Sequence, residues 1–132
     1  MTRRQMRENC FILLFEHSFT DYTADELFES VEELDDFELD DTVKSYYLGI
    51  TEHETEIDEI IKGNLKNWTM DRISRVSLSL LRLSVYEMCV LKTIDPPIAI
   101  NEALELAKKY STQDDANYMN GVLGSIVRGL GE

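Results

Sequence analysis

Ile98-Ala99-Ile100-Asn101-Glu102-Ala103-Leu104-Glu105-Leu106-Ala107-Lys108-Lys109-Tyr110 runs through Ser111-Thr112-Gln113-Asp114-Asp115-Ala116 into Asn117-Tyr118-Met119-Asn120-Gly121-Val122-Leu123-Gly124-Ser125. Its first part places Ala99, Ala103, Leu106 and Tyr110 on one helical stripe, with Ile100, Leu104 and Ala107 beside them. Asn101, Glu102, Glu105, Lys108 and Lys109 fill the opposite face, where Glu105 is expected to pair with Lys109 at i,i+4. The last part is also apolar at helical spacing, yet it contains Gly121 and Gly124. A glycine inside a helix costs ~1 kcal/mol relative to alanine, so the spacing predicts a close backbone neighbour there. Two antiparallel helices joined by a short turn follow from this stretch alone.

The same grammar extends to the rest of the chain. Its 132 residues suffice for one domain with a core, and one all-α domain over residues 1–132 is expected. Two prolines and six glycines, five of them from Gly63 onward, favour helices over sheet. Thr2 with Gln5 reads as a capping box opening helix 1 over residues 3–18, with Met6, Cys10, Leu13 and Leu14 inward. Thr23 with Glu26 opens helix 2, and an acidic connector over residues 35–41 leads to helix 3. Thr51 with Glu54 is a third capping box, so a break is expected before helix 4, which runs to Trp68. Residues 75–91 form helix 5; eleven of the sixteen positions from Val76 are apolar, which places this helix at the centre of a bundle of six or seven. Arg82 and Glu87 are the charges in that segment, and each needs a partner. Pro96 and Pro97 admit helix 6, Asp114 is expected to cap helix 7, and the end should fray at Gly129 and Gly131.

Charge narrows the function. The net charge is −13, unevenly spread: residues 1–61 carry four Lys/Arg against eighteen Asp/Glu, residues 62–132 nine against eight. No Lys or Arg lies between Glu8 and Val43. Such a surface suppresses non-specific phosphate binding while leaving room for one local basic site. Arg3, Arg4 and Arg7 sit at the start of helix 1, where cations oppose the helix dipole and lose ~0.3–1 kcal/mol each. Local stability therefore does not explain them, whereas binding of RNA phosphates does. Helix N-termini also offer unpaired N–H groups to phosphate. An acidic helical protein–protein adaptor without RNA binding remains the alternative.

Other classes find little support. His17 and His53 are the only histidines, neither in a Glu-x-x-His arrangement, and there is no glycine-rich phosphate loop. No catalytic residue, metal or cofactor is expected. Cys10 and Cys89 fall on apolar stripes and read as reduced core thiols. The apolar run from Cys10 to Phe15 behind the arginines is too short for a signal peptide, and nothing approaches the ~20 apolar residues of a membrane span. A cytoplasmic protein is expected.

Three segments carry a family resemblance. Ala99-Ile100-Asn101-Glu102-Ala103 with Leu106-Ala107-Lys108, then Tyr118-Met119-Asn120-Gly121-Val122-Leu123, resemble the C-terminal signature of the NusB family of transcription antitermination proteins. Leu80-Leu81-Arg82-Leu83 with Val85-Tyr86-Glu87 resembles its middle signature. The resemblance implies an all-helical fold, binding of boxA RNA together with the ribosomal protein NusE, and read-through of terminators by the RNA polymerase elongation complex through other Nus factors. It leaves a homodimer open. It also implies roles for particular residues. Arg3, Arg4, Arg7, Lys108, Lys109, Gln113 and Asp114 are expected at the RNA, and Phe15, Glu16, Asp71, Arg72 and Ser77 at NusE, with Ser77→Arg weakening NusE binding at little cost in stability. The same fold heads some RNA methyltransferases, but no cofactor domain is expected here. Two features depart from the family pattern: three N-terminal arginines are fewer than many members carry, and Gly124 stands where an acidic residue is common.

Overall fold

A computed structural model of the chain describes residues 1–65 and 69–130, so the expected end of helix 4 at Trp68 lies outside the described residues. Every regular element among those residues is helical. They group into two compact units, Met1–Glu52 and His53–Glu132.

The first unit holds α1 (Arg3–His17), α2 (Ala24–Glu32) and α3 (Asp41–Glu52). Both expected capping boxes are present: Thr2 with Gln5 opens α1, and Thr23 with Glu26 opens α2. Each satisfies two N–H groups that would otherwise be orphaned at the helix start. Asp40 satisfies one such group at the start of α3, its Oδ1 accepting from the Val43 N–H at 2.9 Å. Helix α1 packs against α2 and α3. Met6, Cys10, Phe11, Leu13 and Leu14 are buried, as are Leu27, Phe28, Val31, Val43, Tyr47 and Ile50. Phe28 meets Tyr47 edge-on at 5.5 Å, and the Tyr47 hydroxyl lies 3.1 Å from His17 Nδ1. The acidic connector is held to α1 by Asn9, whose Nδ2 donates to the Glu38 carbonyl at 2.8 Å.

The second unit holds α4 (Glu54–Lys62), a 3-10 turn at Met70–Arg72, α5 (Arg75–Val85), α6 (Pro96–Tyr110) and α7 (Gln113–Leu130). Helix α5 packs against α4, α6 and α7, the central position its apolar sequence demands. Ser84 Oγ, on α5, donates to the Ala99 carbonyl of α6 at 3.4 Å. Small residues at that contact let two backbones approach.

Several local expectations are corrected. The break before α4 is present, but Thr51 and Glu54 do not form a capping box: Thr51 Oγ1 donates back to the Leu48 carbonyl at 3.1 Å, and His53 precedes α4 without a side-chain cap. Helix 5 stops being α-helical at Val85 and continues as a π-turn over Tyr86–Leu91. That turn closes with the Lys92 N–H bonded to the Glu87 carbonyl at 3.1 Å, Lys92 itself being left-handed with φ 59°. Thr112, not Asp114, caps α7, its Oγ1 accepting from the Asp115 N–H at 3.1 Å. Glu105 meets Lys108 at 3.4 Å, one residue short of the expected i,i+4 partner. Gly121 is exposed, and a Cβ built there meets nothing within 4 Å, so the expected close neighbour is not found. At Gly124 a Cβ would meet only Nη1 of Arg128, from the same helix, at 3.4 Å.

Arg82 has the structural partners its position requires. Its Nε and Nη2 bind the two carboxylate oxygens of Asp58 at 2.9 Å each, and Nη2 reaches Glu54 at 3.2 Å. Burial alone would lower the Arg82 pKa, but the bidentate bond to Asp58 and the charges of Asp58 and Glu54 outweigh it and raise the value. Glu87 is buried.

Candidate nucleic-acid and partner interface

The arginine cluster divides. Arg3 and Arg4 are exposed on the first turn of α1, but Arg7 is only 4% exposed. The reason is periodic: Arg7 stands three residues before Cys10, four before Phe11 and seven before Leu14, all on the buried stripe. A guanidinium so placed is engaged within the chain. The expected trio of surface arginines is therefore a surface pair above one interior arginine.

In the second unit, Lys108, Lys109, Gln113 and Asp114 gather at the exposed turn between α6 and α7. Lys109 Nζ stands over the Tyr110 ring at 5.4 Å, and Gln113 Nε2 donates to Asn117 Oδ1 at 2.9 Å. Beside this turn the starts of α5 and α7 are tied together. Ser74 caps α5 by accepting from the Ser77 N–H at 3.1 Å, and its hydroxyl donates to Asp115 Oδ2 at 3.4 Å. Asp115 accepts a second hydroxyl bond, from Ser111. The two helix starts frame a cavity of about 270 Å³ lined by Arg72, Ile73, Ser77, Asp114, Asp115 and Tyr118 in addition to Ser74.

Ser77 is the unexpected member of that lining. It is 3% exposed, and its Oγ is buried with no hydrogen-bond partner among the described residues. Its expected place on an open partner surface is corrected: the side chain points inward because position 77, three after the cap, belongs to the buried face of α5. Consequently Ser77→Arg is not expected to leave stability intact. Ser74 and Asp115 were not singled out from the sequence, and Tyr118 only as part of the C-terminal signature. Ser74 carried a signal in its N-cap spacing to Ser77, and Asp115 in its i,i+4 spacing from Ser111.

The other expected partner residues are exposed or half-buried. Asp71 and Arg72 lie on the 3-10 turn, where the Thr69 hydroxyl bonds Asp71 and holds its carboxyl below the usual range. Phe15 is half-buried and Glu16 exposed on the last turns of α1. Phe15 packs edge-on against Phe19 at 4.8 Å, and Phe19 is 57% exposed. Among the described residues no three His, Cys, Asp or Glu side chains are grouped to hold a metal, and no helix is long and apolar enough to cross a membrane.

These features coincide with similarity to proteins of one kind. The NusB family model matches residues 4–128. Transcription antitermination protein NusB of Clostridium botulinum (strain Kyoto / Type A2) is 41% identical over 144 aligned residues, spanning 96% of this chain and 100% of that protein. A chain from a crystal structure of antitermination factors NusB and NusE in complex with dsRNA superposes with TM-score 0.85 at 29% identity, covering 96% of each chain. T. maritima NusB superposes with TM-score 0.82 at 34% identity, covering 97% of this chain and 92% of that one. With the helical order, the central α5 and the α6–α7 pair in place, the chain belongs to the NusB family of transcription antitermination proteins.

Proposed function

We propose that this protein is a cytoplasmic transcription antitermination factor, not an enzyme. In this reading residues 1–132 act as one domain that binds boxA RNA together with NusE and joins the RNA polymerase elongation complex through other Nus factors. The observation that carries the reading is the full-length likeness to a chain crystallised as NusB and NusE with dsRNA. Local chemistry supports it: exposed cations at Arg3, Arg4, Lys108 and Lys109 interrupt an otherwise acidic chain. Arg3 and Arg4 contact phosphate, as do Lys108 and Lys109, with Gln113 and Asp114 beside the RNA at the α6–α7 turn. Arg7 acts beneath them, by holding the first turns of α1. Phe15, Glu16, Asp71 and Arg72 face NusE, and Ser77 contributes from within the cavity behind Arg72.

The test is the affinity of the full chain for boxA RNA, with and without NusE. Weak binding alone and tighter binding with NusE is the expected result. Arg3→Ala and Arg4→Ala should each lower RNA affinity. Asp114→Asn should raise overall affinity, because it removes a charge that repels the backbone while Thr112 keeps the helix capped. Binding to NusE without any RNA affinity in either mixture would overturn the RNA reading in favour of the acidic adaptor.

A further inference from the structure

The far end of α5 is irregular. From Val85 the α-helix gives way to the π-turn over Tyr86–Leu91, and the next residue, Lys92, is left-handed with φ 59°. That conformation is usually left to glycine or asparagine, and π-turns gather at functional sites. Here the turn re-aims side chains. A continued α-helix would set Leu91 seven residues after Ser84 and fourteen after Ser77, on the buried stripe of α5. The wider turn moves it off that stripe, and Leu91 is left half-buried, as is Val90.

The connector that follows is apolar too. Helix connections are usually polar, yet residues 90–98 hold four aliphatic side chains and two prolines against one lysine, one threonine and one aspartate. Ile94 is half-buried, Pro97 is exposed and Ile98 is 50% exposed. Only residues 92–95 separate the π-turn from α6, and α6 packs against that turn. Leu91, Ile94 and Ile98 therefore share one end of the second unit. That end is remote from the RNA and NusE residues of the same unit. Helix α5 begins beside Arg72 and Ser77, and α6 finishes at the turn that carries Lys108 and Lys109, so roughly 20–25 Å of helix lies between. A partner seated at this end leaves those surfaces open.

Charge decides what the surface takes. The Cys89 thiol pKa is raised by burial, lowered less by Lys92 and raised further by Glu56, which brings both charges to the rim of the π-turn. Glu56 is exposed, and so is Asp95, whose carboxylate makes no capping bond to α6. Lys92 stands at the helix C-terminus, where the dipole offsets a cation. The remaining rim is acidic, on a chain of net charge −13. Such a rim repels a phosphate backbone, and the net charge repels a second copy of the chain. A cationic protein is attracted at long range and meets aliphatic side chains at contact. We propose that Leu91, Ile94 and Ile98 form a docking surface for a basic protein segment, in which an apolar side chain is flanked by lysine or arginine, on a protein of the elongation complex other than NusE. The chain then holds the complex directly at one end while the other end holds RNA and NusE. The inference rests on the antitermination reading above for the setting in which this partner is met.

The experiment compares the full chain with Ile98→Ser, Asp95→Lys and Lys92→Glu. Each is bound to NusE and boxA RNA, then titrated at fixed salt into an elongation complex of RNA polymerase and the other Nus factors. Assembly with NusE and RNA should match wild type in every variant. Ile98→Ser should lower affinity for the elongation complex about tenfold, the loss of one anchoring side chain. Asp95→Lys should weaken it as well, and Lys92→Glu should tighten it, the signs that a basic partner requires. Asp95 and Lys92 are both exposed, so this charge pair decides the matter even if Ile98→Ser fails to fold. Wild-type affinity in a folded Ile98→Ser, or charge variants with unchanged or reversed effects, overturns the docking surface and leaves the antitermination reading standing. A dimer of the wild-type chain that Ile98→Ser dissociates overturns the basic partner in favour of a second copy. A wild-type chain that does not join the elongation complex, even with NusE and RNA bound, overturns both the surface and the reading it rests on.

Discussion

Ser77 makes a quantitative case at the scale of one residue. Its hydroxyl is buried and lacks a partner among the described residues, so removing it sacrifices no bond seen there. Ser77→Ala is expected to change unfolding free energy by no more than about 0.5 kcal/mol, or to stabilise slightly. Ser77→Arg should cost about 2–4 kcal/mol, because it forces a charge into a site that is 3% exposed. Urea melts of the two variants check both statements, and a costly alanine would reveal a bonded hydroxyl. Cys89 offers a second residue-level test. Burial raises its thiol pKa, with Lys92 lowering it less and Glu56 adding to the rise. A raised pKa leaves less thiolate at any given pH, so iodoacetamide should alkylate Cys89 more slowly than an unstructured cysteine peptide near pH 8. Cys10, fully buried, should react only after unfolding.

At the scale of the element, α7 carries a cost that nothing in its own unit repays. Gly121 sits mid-helix in open space, so Gly121→Ala should stabilise by about 0.5–1 kcal/mol. A lower melting temperature would mean that the site is tightly packed after all. The start of α2 shows how a cap links to pH. The Thr23 backbone and then its hydroxyl bond Glu26 and lower its pKa. A lowered folded-state value gives stability that is present above the ordinary carboxylate range and lost as pH falls through the folded value. Thr23→Ala removes the hydroxyl cap and should cost ~1 kcal/mol at neutral pH; because the Thr23 N–H still bonds Glu26, most of the acid sensitivity should persist in melts between pH 3 and pH 7 in steps of about one unit. On α5, Arg82 joins α4 through Asp58 and Glu54. Arg82→Ala should cost about 2 kcal/mol, below the 3–5 kcal/mol of a fully buried pair because Glu54 remains partly solvated.

For the whole molecule, charge placement governs RNA binding. A net charge of −13 repels a polyanion at long range, so affinity must come from short-range contacts. With few exposed cations at the proposed site, log K should fall shallowly with log salt, about 0.7 per phosphate neutralised on single-stranded RNA. Arg3→Ala and Arg4→Ala should each flatten the slope by about that amount. Arg7→Ala should first lower thermal stability, since Arg7 is buried. An unchanged melting temperature in that variant would return Arg7 to the surface.

The helical class, a count of six or seven helices, two of three capping boxes and the central place of α5 were legible in the chain because they depend on local spacing. A cap needs a donor and acceptor three residues apart, and an amphipathic face needs only a period near 3.6. The α6–α7 signature likewise carried the family. Side-chain burial was legible only where residue type and stripe agreed. Arg7 and Ser77 broke that agreement: polar residues on apolar stripes read as surface, and their helices turned them inward. Gly121 broke it in the other direction, since no local rule says whether a mid-helix glycine meets a neighbour. The π-turn at Tyr86–Leu91 followed from no pattern in the residues. The Ser74–Asp115 tie joins positions forty-one apart, and the cavity it frames exists only once α5 and α7 have packed. Local spacing thus determined which helices form, and the packing of one helix on another decided which of their side chains remain available to bind.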